Sequence, residues 1–350
     1  MSKKILILGG DGYLGWPAAM YFSNRGHEVT VVDNYFRRHV CDNINASMLY
    51  PVPTLIERAK IWYKETGYEI KVIIGDLTKP ELVRSLFSGQ NVSYDWSLNN
   101  MFNGVPDTVI HYAEQPSAPY SLMNYKTANF TVTNNLLVTN NLLFAIKDLA
   151  PSVHIIKLGT MGEYGTPNID IEEGWIDIES KGRKGKFLFP RQAGSLYHTT
   201  KIMDTDLIWF AVRTWGLKVT DLMQGPVYGI ETEESKIHNK LMTIFNYDEI
   251  FGTVINRFIV QAVAGYPLTV YGKGGQSRGF LSLEDSLQCT YISCENNLES
   301  GDLRIFNQIM ETFTVNELAE LTKESAAELG YDVKINHIEN PREELEEHYY

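Results

Sequence analysis

The chain has 350 residues, enough for about two domains, or for one large α/β unit with an appended lobe. Hydrophobic residues make up 44% and charged residues 21%, and 31 Lys+Arg against 43 Asp+Glu leave a formal charge of −12. So acidic a chain repels phosphate backbones and anionic lipid, which argues against nucleic-acid or membrane-surface binding as its main task and still leaves room for one anionic ligand in a local basic pocket.

In chain order, Lys4–Leu8 is a short apolar run, followed by glycines and a helical pattern over Tyr13–Ser23. Glu28–Val32 is a second strand, closed by Asp33. Asn34–Thr66 is long for a loop and is predicted to hold a helix over Leu55–Lys64. Ile70–Ile74 gives a third strand, ending in Gly75-Asp76, and Pro80–Phe87 a helix. Ser88–Gly104 reads as a polar surface insertion. Thr108–His111, Val153–Leu158 and Lys218–Leu222 are the next three strands, with helices over Tyr125–Leu149 and Tyr197–Thr214 between them. Near-continuous apolar strands alternating with helices predict an α/β fold, a doubly wound parallel sheet of the Rossmann type. After about residue 225 the alternation breaks down into glycines and short strands (Leu268–Gly275, Ile305–Asn307), with one clear amphipathic helix over Val315–Leu329. Residues 1–225 are therefore assigned to a dinucleotide-binding domain, and 226–350 mainly to a smaller substrate lobe with parts returning to the sheet.

No apolar run approaches the roughly 20 residues of a membrane helix. Met1–Ile5 runs directly into a strand, so neither a signal nor a transit peptide is expected, and a cytoplasmic location is. Cys41, Cys289 and Cys294 are odd in number and not spaced as metal ligands, so a disulfide framework and a metal site are not expected, and a reducing cytosol fits.

Gly9-Gly10-Asp11-Gly12-Tyr13-Leu14-Gly15 contains Gly-x-x-Gly-x-x-Gly after a strand and at the start of a helix. The first Gly permits the tight turn, the second lets backbone N–H groups approach a pyrophosphate, and the third lets helix and strand pack closely. Asp33, at the end of the second strand, is placed to accept hydrogen bonds from the adenosine ribose and to repel a 2′-phosphate, which favours NAD over NADP. Arg37 and Arg38 just beyond it are what an NADP site would use; contacts to the pyrophosphate or to the nicotinamide side are the alternative. Asp76, after the third strand, suits the adenine edge, or is a plain turn aspartate.

Tyr197 and Lys201 stand at i and i+4, on one helix face. At that spacing an ammonium lowers a phenol's pKa, and the phenolate can take a proton from a sugar hydroxyl while hydride leaves the same carbon for nicotinamide. Thr160, after the fifth strand, lies at a carboxyl end facing the ligand crevice, and its hydroxyl is placed to share a hydrogen bond with substrate and Tyr197.

These motifs together resemble the extended short-chain dehydrogenase/reductases that act on nucleotide sugars. Longer stretches are similar to one family among them, the UDP-sulfoquinovose synthases: GGDGYLGW (Gly9–Trp16), EQPSAPYS (Glu114–Ser121), KLGTMGEYGTPNIDIEEG (Lys157–Gly174), TDLMQGPVYG (Thr220–Gly229), LTVYGKGGQSRG (Leu268–Gly279) and NPREELEEHYY (Asn340–Tyr350). The resemblance spans essentially the whole chain. It implies that UDP-glucose and sulfite give UDP-6-sulfoquinovose, with tightly held NAD recycled within each turnover. Oxidising C4 to a ketone acidifies the C5 proton, water leaves from C6, sulfite adds to the resulting 4-keto-5,6-ene, and C4 is reduced again. The product would feed a sulfolipid or a glycan, and the sulfite would arrive free or from a donor protein.

Carried over residue by residue, the resemblance makes Thr160, Tyr197 and Lys201 the oxidation set. Sugar 4,6-dehydratases place an Asp-Glu pair directly after the Thr; here Met161 and Gly162 stand there, and neither moves a proton. Glu163 and His198 are then the candidates for the C5 and C6 proton transfers, with a packing or hydrogen-bonding role the alternative for each. Arg278 and Arg342 match diphosphate-binding positions, and Glu114, Gln115, Gln224, Arg257 and Gln276 are further substrate candidates. The NAD set comprises Gly9, Gly12, Tyr13, Leu14, Gly15, Asp33, Asn34, Arg37, Arg38, Asp76, Leu77, Ala113 and Asn134, besides Tyr197 and Lys201. Helices over Tyr125–Leu149 and Tyr197–Thr214 are expected to form a four-helix homodimer interface. Three features depart from the family pattern or stand outside it. Pro116 stands where some members carry Arg, so no sulfite contact is assigned there. Ser88–Gly104 is longer than the usual link. The basic run Lys181–Lys186 reads as a hydrated hairpin tip, with sulfite gathering or partner binding as alternatives. The rival readings are a UDP-hexose 4-epimerase, which shares the C4 oxidation but not the C5 chemistry, and a non-catalytic NAD-sensing regulator, against which the intact Tyr197/Lys201 pair argues.

Overall fold

The computed structural model describes residues 2–44, 46, 48–89, 92–98, 104–165 and 171–341. The first half builds strands β1 (Lys4–Leu8), β2 (Glu28–Asp33), β3 (Ile70–Ile74), β4 (Thr108–His111) and β5 (His154–Thr160). Between them lie helices α1 (Gly15–Asn24), α2 (Phe36–Asn43), α3 (Leu55–Thr66), α4 (Pro80–Ser88), α5 (Ala118–Leu122) and α6 (Tyr125–Leu149). A hairpin of β6 (Trp175–Ser180) and β7 (Arg183–Leu188) precedes α7 (Leu196–Trp215), β8 (Lys218–Gln224) and the short β9 (Val227–Tyr228). The remainder holds α8 (Val254–Val263), β10 (Leu268–Tyr271), β11 (Ser277–Ser282), α9 (Leu283–Glu295), β12 (Leu303–Gln308), β13 (Glu311–Thr314), α10 (Val315–Glu328) and β14 (Ile335–Ile338).

Seven strands form one parallel sheet in the order β12-β8-β5-β4-β1-β2-β3. The order reverses between β1 and β4, so a crevice opens there at the carboxyl ends, the place where doubly wound sheets hold dinucleotides. Both faces are covered, which is why the strands read as unbroken apolar runs. Along β1 the alternation is clean: Ile5 and Ile7 pack with Trp16, Phe22, Ala59 and Trp62 of α1 and α3, while Leu6 and Leu8 pack with Leu86, Val138 and Leu142 of α4 and α6. A third, separate core forms among Phe258, Leu268, Val270, Leu318 and Ala319 in the C-terminal lobe. The predicted doubly wound α/β architecture is the observed one.

Among the described residues three α-helices follow residue 225 where the apolar pattern shows one. α9 packs back on the sheet, but its buried face includes Ser286, Thr290, Ser293 and Cys294, small polar residues that erase the periodicity on which a sequence reading depends. The last strand of the sheet, β12, also comes from this part of the chain. The Lys181–Lys186 run is the tip and second strand of the β6–β7 hairpin, turning at Lys181 (φ 52°) and Gly182 (φ 73°) with the basic side chains exposed. Within the 88–104 stretch, Trp96 exchanges backbone hydrogen bonds with Val72 and so covers the edge of the sheet at β3; residues 90–91 and 99–103 of that stretch lie outside the described residues.

One further segment positions the site. Residues 241–251 run from the C-terminal lobe back across the glycine loop and are fastened there from many sides. The Trp16 indole donates to the Leu241 carbonyl (2.7 Å) and the Thr243 hydroxyl to that of Tyr13 (2.8 Å). The Leu49 amide donates to Phe245 O (3.0 Å), Arg37 Nε to Asn246 Oδ1 (2.9 Å), and the Ser117 hydroxyl to the Ile250 carbonyl.

Candidate active site

A cavity of ≈ 470 Å³ lies over the β1/β4 crevice and extends to the C-terminal lobe. Its floor at one end is the β1–α1 loop. Gly9 adopts φ +90°, which a side chain resists, and a Cβ there would sit 2.9 Å from the Tyr112 carbonyl carbon. A Cβ on Gly15 would lie 1.9 Å from the Gly9 carbonyl oxygen, so this glycine sets the close approach of α1 to β1. α1 begins without a side-chain cap and without an acid in its first turn, which leaves its amides and dipole for an anion. This cradle fits a dinucleotide pyrophosphate.

Gly9, Gly12, Tyr13, Leu14 and Gly15 all line the cavity, as do Asp33, Asn34 and Arg37 from the end of β2 onward. Asp33 accepts from the Asp11 amide (2.9 Å) and the Tyr35 amide (2.7 Å). Burial first, and the Asp11 carboxylate beside it, push its carboxyl up from 3.8 to about 6. Each Asp33 oxygen retains a lone pair for a hydroxyl donor. Arg37 stacks over Phe251 at 4.7 Å. Asp76, Leu77, Ala113 and Asn134 line the same wall. The Asp76 carboxylate also closes its own turn by accepting from the Thr78 amide and hydroxyl at 2.9 and 2.8 Å.

Arg38 is placed elsewhere. Its guanidinium grips the Asp11 carboxylate (2.6 and 2.8 Å) and the carbonyls of Val52 and Pro53, off the cavity wall. Asp11 is shared with the fully buried Arg58 (2.6 Å). The triad ties the glycine loop to α2 and α3, and Arg38 is committed to it.

At the other end of the cavity Thr160, Tyr197 and His198 come together on its wall. Thr160 ends β5, and its hydroxyl accepts from the Gly162 amide (3.2 Å). Tyr197 opens α7 beside the N-cap Ser195. Burial first, then the Glu114 carboxylate, hold the Tyr197 phenol above its ordinary range. Lys157 acts in the opposite direction. Lys201 Nζ donates to the Leu158 carbonyl (2.6 Å) and pairs with Glu114 Oε2 (2.8 Å), behind the wall rather than on it.

The His198 ring lies directly over Gly162. A Cβ at 162 would stand 2.4 Å from its Cδ2 and Nε2. The imidazole therefore fills the space that a side chain directly after Met161 would take. The Ser195 hydroxyl accepts from the His198 amide (3.2 Å) and lies 3.1 Å from the ring's Nδ1, so one side chain fixes both the backbone and the ring of His198.

Glu163 is not on the wall. It is fully buried against Lys157 (3.2 Å) and the Thr205 hydroxyl (3.0 Å), and burial, countered by Lys157, raises its carboxyl. A catalytic contact from Glu163 to a ligand is thus replaced by an internal one. Gln115 is likewise turned inward. Its amide nitrogen donates to Ser117 O (3.0 Å) and Thr131 Oγ1 (2.8 Å), and its backbone is held by Asn135. Gln224 lines the cavity but spends its amide N–H groups on Ser286 and Gln308 (both 2.6 Å). Arg257, Gln276 and Arg278 converge on the far end; Arg257 Nη2 donates to the Thr269 carbonyl (3.0 Å) and its guanidinium stacks on Tyr271 (4.1 Å). Arg342 lies outside the described residues.

The motif reading missed the charges behind the wall. Lys157 and Asp221 face each other in register on β5 and β8, 3.3 Å apart, both fully buried. The available signal was a charged residue inside each of two otherwise apolar strands. Among the described residues no three His, Cys, Asp or Glu side chains cluster as metal ligands, and no helix is long and apolar enough to cross a membrane.

Comparison with known proteins gives a consistent picture. Residues 5–307 match the NAD dependent epimerase/dehydratase family. The chain is 43% identical over 348 residues to the chloroplastic UDP-sulfoquinovose synthase of Spinacia oleracea, covering 99% of this chain and 69% of that protein. It is 44% identical over 348 residues to the UDP-sulfoquinovose synthase of Sulfolobus acidocaldarius, covering 99% of this chain and 85% of that one. Its fold is similar to that of the UDP-glucose 4-epimerase from Bifidobacterium longum in complex with NAD+ and UDP, with a TM-score of 0.70 at 19% identity, covering 99% and 89% of the two chains.

Proposed function

We propose that this chain, which belongs to the UDP-sulfoquinovose synthases within the NAD dependent epimerase/dehydratase family, joins sulfite to UDP-glucose and forms the carbon–sulfur bond of UDP-6-sulfoquinovose. NAD bound here would supply reversible hydride exchange with C4 of the sugar. The glycine cradle, Asp33 and Asn134 hold it. Tyr197 Oη takes the proton of the C4 hydroxyl and gives it back. Thr160, whose oxygen already accepts from a backbone amide, has its own proton free to steer that hydroxyl. Arg278 and Arg257 meet the diphosphate, where planar guanidinium groups suit paired phosphate oxygens.

The observation that carries the reading is the place of the His198 ring over Gly162. Next to the oxidation centre, the proton-transfer group is an imidazole rather than the carboxylate pair of a 4,6-dehydratase. Its Nε2 takes the C5 proton once C4 is a ketone and protonates the departing C6 hydroxyl, so that water leaves. Sulfite then bonds to C6 through sulfur, and a proton returns to C5. An imidazole can act as base and then as acid within one turnover.

With this reading go a reducing cytosolic setting, consistent with free Cys41, Cys289 and Cys294, and a homodimer through α6 and α7. Leu137, Phe144, Met203 and Phe210 are exposed apolar side chains of those two helices. Incubation with UDP-glucose and sulfite, followed by mass analysis, tests the function. The expected product is a UDP-sugar in which sulfonate replaces one hydroxyl. A UDP-hexose of unchanged mass, from protein shown to carry NAD, overturns it, and release of UDP-galactose without C5 exchange establishes the epimerase instead.

A further inference from the structure

Lys201 is held in a way that its spacing from Tyr197 does not foretell. Its ammonium donates to the Leu158 carbonyl at 2.6 Å and is ion-paired with Glu114, 2.8 Å from Oε2. Glu114 stands three residues past the end of β4, and its side chain is 3% exposed against 4% for Lys201. Its other oxygen lies 3.6 Å from His111 Nε2, which in turn meets the Thr139 hydroxyl at 3.2 Å. Burial holds the His111 imidazole down to about 4, so His111 is neutral and Lys201 is the cation that Glu114 faces directly.

We propose that Glu114 is a positioning residue for the C4 oxidation: its carboxylate clamps Lys201 and offsets that ammonium at the Tyr197 phenol. The claim rests on the reading of Tyr197 as the proton acceptor and deepens it. The other charged and titratable groups facing this pair are Lys157 from β5, Glu163 from the turn after it, Asp204 from α7 and Asp221 from β8, all buried. Lys157 is shared between Glu163 and Asp221 at 3.2 and 3.3 Å, and Asp204 is held well above its ordinary range by burial and by Glu114. Burial raises the Glu114 carboxyl, but Lys201 first and Lys157 after it outweigh that and hold it below its ordinary value. The phenol therefore faces a cancelled ion pair, and the positive charge that draws off its proton has to enter the cavity with the ligand. Such a site holds Tyr197 protonated until it is loaded and lets the phenol accept the sugar proton only then.

The test uses NAD-loaded wild-type protein and the Glu114→Gln and Glu114→Asp variants. Tyrosinate absorbance is titrated with pH, and Tyr197 is identified as the difference from Tyr197→Phe. Removing the Glu114 charge leaves Lys201 uncompensated, so the Tyr197 transition moves to lower pH by roughly one to three units, the span of a close opposite charge. Glu114→Asp, with a shorter reach, moves it part of the way and serves as the folded comparison if the Gln variant does not fold. The rate at which UDP-glucose reduces bound NAD follows the same displaced limb. A folded variant whose titration and rate limb match wild type overturns the proposal. No sulfite enters this assay, so its outcome is independent of whether the final product is sulfonated.

Discussion

Single residues decide the chemistry of this cavity through what they leave out. Gly162 has no side chain, and the His198 ring stands where one would be. His198→Gln is expected to keep NAD binding and reduction of bound NAD by UDP-glucose, while deuterium uptake from solvent at C5 drops by about 10²-fold, the ordinary worth of a positioned acid–base group; retained exchange would return the role to another group. Asp33 carries a second prediction. Its carboxyl is raised to about 6, so acid protonates it just below neutrality and would remove the acceptor proposed for the cofactor. NAD affinity should weaken as pH falls through 6, by up to about tenfold per unit, and Asp33→Asn should be weak and flat across that range in calorimetric titration. Without NAD the sign reverses. The folded state holds the proton more tightly than the unfolded one, so the free protein has this stabilisation at low pH and loses it as pH rises through about 6. Much of this site was legible in the residues, because Gly-x-x-Gly-x-x-Gly and Tyr-x-x-x-Lys each impose a local geometry. Arg38, Gln115 and Glu163 were not, because each neighbours a wall residue in sequence while its side chain turns to Asp11, Thr131 or Lys157. Adjacency along a chain does not set direction.

At the scale of elements, the glycine loop is held by more than its own turn. Asp11 receives Arg38 from α2 and Arg58 from α3, so one carboxylate locks three segments. Removing Arg58 takes one of two cations from this carboxylate and leaves Arg38 alone on it. Arg58→Met should lower unfolding stability by about 1 to 3 kcal/mol in chemical denaturation, the worth of a lost bond to a charged group, with weaker NAD binding as the loop loosens. An unchanged midpoint would mean that the triad is incidental. The regular strands and long helices could be anticipated because their apolar spacing is unambiguous. α2 and α9 could not, since the buried positions of α2 are only Val40 and Cys41 and half of those of α9 bear hydroxyls, and tertiary contact supplies the order that pattern does not.

Over the whole molecule, the sheet, the C-terminal lobe and the long helices divide the work. The sheet positions the cofactor end, the lobe supplies Arg257, Gln276 and Arg278, and α6 and α7 carry apolar side chains outward. Phe210 is 47% exposed and contacts Trp215. If these helices form the interface of a second copy, Phe210→Glu should halve the mass seen by light scattering while leaving the circular dichroism spectrum unchanged. A wild-type chain that already runs as a monomer would remove the dimer from the account. The acidic balance stated only what the surface avoids. The second copy was expected from the resemblance, since exposure of a helix face follows from packing that no local pattern encodes.

The run from Leu241 to Ile250, stitched to Trp16, Tyr13 and Ser117, has a bearing on cell physiology. A nicotinamide nucleotide held beneath those stitches would stay with its owner from one turnover to the next and behave as a resident part. The enzyme's output would then follow the supply of sugar nucleotide and sulfur nucleophile and would be indifferent to the ratio of oxidised to reduced nicotinamide around it, so starvation or anoxia, which swing that ratio, would leave this step running.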